Sequence, residues 1–145
     1  IVVEKAESLR VTGGCLWVHH TALKVTGPTR TILVSGVDMK ANGDASVIIR
    51  GGTNISVTGC SFSKSGDSWP DVPAVRLESG SSVALGNCVF DPNGPGIVIG
   101  EDMDNFTITG NIFQPSPFEP ITDNSRLTAS KAIANNVSRK VTKTK

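Results

Sequence analysis

The sequence predicts an all-β fold, a right-handed parallel β-helix (a solenoid) of about five to six coils. Three observations carry that prediction. An eight-residue block recurs at 9–16, 32–39, 55–62, 83–90, 106–113 and, more weakly, 131–138, so successive blocks end 23, 23, 28, 23 and 25 residues apart. The first and third positions of each block are apolar, as in Leu9/Val11, Ile32/Val34, Ile55/Val57, Val83/Leu85 and Phe106/Ile108. The fifth position holds only Gly13, Gly36, Gly59, Asn87, Gly110 and Asn135. Residues i and i+2 share one face of a strand, so the apolar pair points inward, and Gly and Asn tolerate the left-handed backbone of a sharp turn. Every repeat therefore bends at the same place.

In chain order, Ile1/Val3 form the first inward pair of a second kind. It returns as Leu23/Val25, Val47/Ile49, Val75/Leu77 and Ile97/Ile99, with a degenerate Ile121 after them. The next block follows across what read as turns, 51–54, 79–82 and 100–105. Identical strands one repeat apart must lie side by side and parallel. The rest of the coil is then their crossover, and such crossovers are right-handed. The eighth block position reads Leu16, Met39, Phe62, Phe90, Phe113 and Ser138, a column whose rings can stack inside the bore. Helical periodicity is nearly absent; 129–134 alone could be helical, although it also fits the sixth block. Residues 1–113 are read as coils. Residues 114–145 are read as a Pro-rich turn, a degenerate last coil and a basic cap or tail, because Lys131 and Ser138 stand where apolar residues stood. The abrupt start at Ile1, without Met, suggests a fragment or processed product.

Charge is nearly balanced, with 14 basic and 13 acidic residues, which gives no field to attract nucleic acid or a membrane surface. No apolar run reaches the roughly 18 residues of a membrane span. Three Cys do not make a disulfide framework. Cys60 and Cys88 share a column in consecutive repeats, roughly 4.8 Å apart, which is within the Cα range of a disulfide although the side chains would run parallel; the preferred reading is two buried thiols serving as small apolar residues. His19 and His20 lack spaced partner ligands, so no metal is implied, and no cofactor either. Three glycosylation triplets, at Asn54, Asn105 and Asn136, are what a fold with Asn at turns and Ser or Thr on outward positions produces by construction.

The Thr-Gly-Asn-x-Phe turn of 108–113, repeated more loosely at 57–62 and 85–90, resembles the parallel β-helix repeats of the pectin-lyase-like superfamily. That superfamily includes pectate lyases, polygalacturonases, epimerases and the trimeric tailspike depolymerases of bacteriophages. The catalytic motifs of its plant-polysaccharide enzymes are missing: there is no Asp-Asp, no Gly-His-Gly and no Arg-x-Lys. The resemblance, together with the shortness of the chain, implies a segment of a phage tailspike or related virion protein. Such a segment would be extracellular or on the virion, homo-oligomeric (a trimer), and would contribute to binding a cell-surface polysaccharide. Leu33, Ile48 and Val98, nominally outward, would line the subunit contact. A polysaccharide lyase or hydrolase domain, and a structural or decoration module with no ligand, are the alternatives.

Two clusters are candidates for chemistry. The 28-residue repeat owes its length to a loop with Asp67, Trp69 and Asp71, and solenoid insertions often form the binding face. These residues, with Arg76 on the following strand, are the carbohydrate-binding candidates; the alternative is that Trp69 packs back as an anchor. Glu78, and one repeat later Glu101 and Asp102, are the catalytic candidates, because carboxylates on adjacent coils suit the separation of about 5–9.5 Å that glycosidases require. Arg50, one coil before Glu78, makes a plain surface ion pair an equal explanation.

Overall fold

In the computed structural model, which describes residues 1–63, 71–91, 94–126 and 130–140, the chain is a parallel β-solenoid, and no helix occurs among those residues. Its strands are β1 (Val2–Val3), β2 (Leu9–Thr12), β3 (Cys15–Val18), β4 (Leu23–Thr26), β5 (Arg30–Ser35), β6 (Asp38–Ala41), β7 (Val47–Thr58) and β8 (Ser61–Ser63). They continue with β9 (Val75–Gly86), β10 (Val89–Asp91), β11 (Ile97–Thr109), β12 (Ile112–Ser116), β13 (Ile121–Asp123), β14 (Lys131–Ala134) and β15 (Val137–Lys140).

The strands stack into three faces of a prism. Face A is β1-β4-β7-β9-β11-β13, built on the second apolar pair, and face B is β2-β5-β7-β9-β11-β14, built on the first pair of each block. Face C is β3-β6-β8-β10-β12-β15. Every pairing is parallel, and the registers reproduce the sequence columns: Ile32↔Ile55, Ile55↔Val83 and Val83↔Phe106 on face B, and Met39↔Phe62 and Phe62↔Phe90 on face C.

Faces B and C meet at the Gly/Asn column. Gly13, Gly36, Gly59, Asn87, Gly110 and Asn135 all have φ between 54° and 69°, the left-handed conformation that the composition of that column anticipates. The corner between faces A and B differs from expectation. The segments 51–54, 79–82 and 100–105 lie inside the long strands β7, β9 and β11, which fold round the corner without ending. A second left-handed column, Asn54, Ser82 and Asn105, does the bending there, and the Asn105 side-chain amide donates to Ser82 Oγ (3.3 Å). Residues 131–134, an ambiguous stretch in the sequence, form strand β14 against β11.

The core fills the bore. Leu23, Val25, Val47, Ile49, Val75, Leu77, Ile97 and Ile99 line face A, and Ile32, Val34, Ile55, Val57, Val83, Leu85, Phe106 and Ile108 line face B, all buried. On the third side Phe62, Phe90 and Phe113 stack, with centroids 4.8 and 4.7 Å apart and interplanar angles of 22° and 16°. Cys60 and Cys88 are buried free thiols beneath that stack's turn, while Cys15 is exposed. The Cys88 thiol donates to Gly86 O (3.2 Å); its hydrogen bond with Cys60, together with burial, pushes its pKa up. Thiol titration of the native protein will therefore find one rapidly reacting group, Cys15, with the other two reacting only on unfolding. Three rapid groups would contradict this packing.

The same column ends in an asparagine ladder. Asn111 Oδ1 accepts from Cys88 N (3.0 Å), and its Nδ2 donates to Leu85 O (3.1 Å) and to Asn136 Oδ1 (3.0 Å). Asn136 repeats the pattern one coil on, accepting from Asn111 N and donating to Ile108 O (3.0 Å each). A buried turn has backbone groups that no strand can satisfy, and the side-chain amide supplies both a donor and an acceptor for them.

Candidate functional site

The expected carboxylate pair is split by β-bulges at the corner between faces A and B. Register slips between Ile49 and Arg50 on β7, and between Ile99 and Asp102 on β11, so neither Glu78 nor Glu101 follows the simple column. A bulge adds one residue to a strand and re-aims the side chains beside it. Glu78 turns back one coil to Arg50, which donates to both its oxygens through Nε and Nη2 (2.9 Å for the latter). Arg76 adds a second cation at 3.8 Å and reaches Asp44 at 3.4 Å. Glu101 turns the opposite way along the axis, to Arg126. Asp102 is exposed beside it.

The hydrogen bond from Arg50, opposed by partial burial and reinforced by the charges of Arg50, Arg76 and Lys24, holds the Glu78 carboxyl below its ordinary value. A depressed carboxylate pKa stabilises the fold above the unfolded-state value of about 4.3, and that stabilisation is lost as pH falls through the native value. Glu78→Gln should thus flatten the acid limb of a stability–pH profile below about pH 4.5. An unchanged acid limb would show that the pair is inert. A general acid needs the opposite shift, towards neutrality.

Of the carbohydrate candidates, Asp67 and Trp69 lie outside the described residues. Asp71 is exposed in the turn before β9, and Arg76 is engaged by Asp44 and Glu78 as above. The outward residues Leu33 and Val98 are half-buried, and Ile48 is buried, flanked in register by Lys24 and Arg76. They do not make an exposed stripe. On face C the exposed large apolar side chains among the described residues are Trp17, Val89, Ile112 and Val137; Val2 on β1 and Ile133 on β14 are exposed elsewhere.

Trp17 is the feature that the repeat columns do not single out. On β3 the inward Leu16 leaves Trp17 pointing out, and it is 68 % exposed. The indole is nevertheless held. Its Nε1–H donates to Asp38 Oδ2 (3.3 Å), and Asp38 Oδ1 accepts from Ser61 Oγ (2.6 Å), a chain across three coils. Lys40, its register partner, places Nζ 5.7 Å from the ring centroid, within cation–π range. Ring and ammonium border a cleft of about 300 Å³ with Val18, His19 and Asn42. The residue that follows Lys40 in this column is Ser63.

An exposed, oriented aromatic ring bordered by amide, imidazole and ammonium groups can stack on the apolar face of a sugar ring and hydrogen-bond its hydroxyls. Among the described residues no cluster of three or more His, Cys, Asp or Glu could hold a metal ion.

Residues 5–138 match the family model described as a right handed beta helix region. No curated protein and no solved structure matches the chain significantly.

Proposed function

We propose a glycan-binding role for this chain, which belongs to the right-handed β-helix region family, with Trp17 on face C as the stacking platform. The observation that carries the reading is the indole itself. A ring left 68 % exposed yet fixed through Asp38 and Ser61 is pre-organised, so little ordering entropy is lost when a sugar stacks on it. A stack of parallel coils supplies the rigid frame, and the setting we propose is an extracellular or virion-associated segment, as the resemblance to tailspike repeats suggests.

The proposal stops at binding. Glu78 and Glu101 are each engaged by an arginine, and the two side chains turn in opposite directions along the axis, so these two do not face one another as a carboxylate pair.

A glycan array followed by calorimetry on the wild-type chain and Trp17→Ala tests the role. The expected result is at least one saccharide bound by the wild type and weakened by tenfold or more in Trp17→Ala, with unchanged thermal stability because the ring covers no core. Equal affinity in the two proteins would sink the assignment.

A further inference from the structure

We propose that face C takes a bipartite ligand: a saccharide stacked on Trp17 that carries, about 19 Å further along the solenoid axis, an apolar substituent (a deoxy, O-acyl or alkyl group) seated on Ile112 and Val137. The distance is four strand intervals, from β3 through β6, β8 and β10 to β12, at about 4.8 Å each. The inference rests on the glycan-binding reading above and extends it to the chemical class of the ligand.

Three observations place the apolar end. Val89, Ile112 and Val137 are register partners on consecutive strands, all outward and 38 %, 47 % and 58 % exposed. They form a ladder of β-branched side chains along the axis, which water covers unfavourably. Beside it Ile112, Phe113, Gln114, Pro115 and Val137 border a second cleft, of about 260 Å³, close in size to the one at Trp17. Among the described residues, the outward side chains between the two clefts are Asp38, Ser61 and Ser63, with Asp91 beside Val89 and Lys40 at the Trp17 cleft. All but Lys40 are short, which lets one extended molecule reach across both clefts over the described part of the face. The ladder alone spans only about 10 Å of the axis, too little for the roughly 800 Å² per partner of a stable subunit contact. A ligand already anchored at Trp17 needs no such area, because the second contact is intramolecular once the first has formed.

The test uses the full chain with linear oligosaccharides of increasing length, each as the free sugar and as its octyl glycoside, measured by calorimetry. The octyl group should raise affinity about tenfold, and only for saccharides long enough to span the two clefts. Ile112→Thr, which keeps a β-branched residue in the strand, should erase that increment and leave the affinity for the free sugar unchanged; Trp17→Ala should remove both. An octyl increment that is absent, independent of saccharide length or intact in Ile112→Thr would overturn the bipartite ligand while leaving the Trp17 platform standing. An increment that survives Trp17→Ala would mark an unrelated apolar site. Dimerisation by light scattering that is lost in Ile112→Thr would assign the ladder to a second copy of the chain instead. Failure of every saccharide, free or substituted, would bring down both proposals.

Discussion

Phe90→Ala is expected to lower the unfolding free energy by about 3–5 kcal/mol, the usual cost of truncating a buried aromatic residue. Phe90 is fully buried and sits between Phe62 and Phe113 at stacking distance on both sides. Truncation therefore removes two ring contacts, each worth about 0.5–1.5 kcal/mol beyond area burial, and opens a void in the middle of the bore. Neighbouring rings on rigid strands cannot collapse into that void, which places the expected loss towards the upper end of the range. The drop in melting temperature should be about 10 °C or more. A drop below about 3 °C would mean that the column is not packed as described.

Asn111→Ala is expected to cost nearly as much by a different route. The side chain fills little apolar volume but is fully buried and serves Cys88 N, Leu85 O and Asn136 Oδ1. Alanine leaves the first two without those partners inside the turn, at about 1–3 kcal/mol for each unsatisfied group, or roughly 3–4 kcal/mol together. Asn136→Ala should cost clearly less, because its coil is the more exposed one and its amide is only partly buried. Denaturant unfolding of the two variants checks the order. If Asn111→Ala costs less than about 1 kcal/mol, or Asn136→Ala costs more, the ladder is not what secures the corner.

Most of the coil could be read from residues because each column expresses a local requirement that the repeat restates. The left-handed turn at Gly13, Gly36, Gly59, Asn87, Gly110 and Asn135 needs a particular backbone freedom in every coil, and inward positions need apolar side chains in every coil. The corner between faces A and B is not legible in the sequence because Asn54, Ser82 and Asn105 bend a strand whose pairing persists on both sides. Composition reports the bend but not the continuity. Glu78 and Glu101 illustrate a related limit. Their spacing suggested alignment, whereas single-residue bulges at Arg50 and before Asp102 set their directions, and a bulge is settled by pairing with the neighbouring coil.

Trp17 shows what alternation could have found. Leu16 belongs to the inward column, so Trp17 must face out, and a Trp facing out from a flat strand is a binding candidate before any coordinates are known. Its restraint by Asp38 depends on a register between β3 and β6 that the 23-residue spacing already implied. Alternation alone places the outward apolar column at Leu33, Ile48 and Val98, on faces A and B. It lies on face C at Val89, Ile112 and Val137, because exposure of an outward residue depends on what covers it, as the buried Ile48 shows.

The most direct test of the binding platform uses the indole as its own reporter. The chain has two Trp residues, so Trp69→Phe leaves Trp17 as the sole indole. Titration of that variant with the saccharide it binds best should give a saturable change in Trp17 emission whose midpoint equals the calorimetric Kd. Binding that registers in the calorimeter while Trp17 emission stays constant would place the glycan elsewhere and contradict the account.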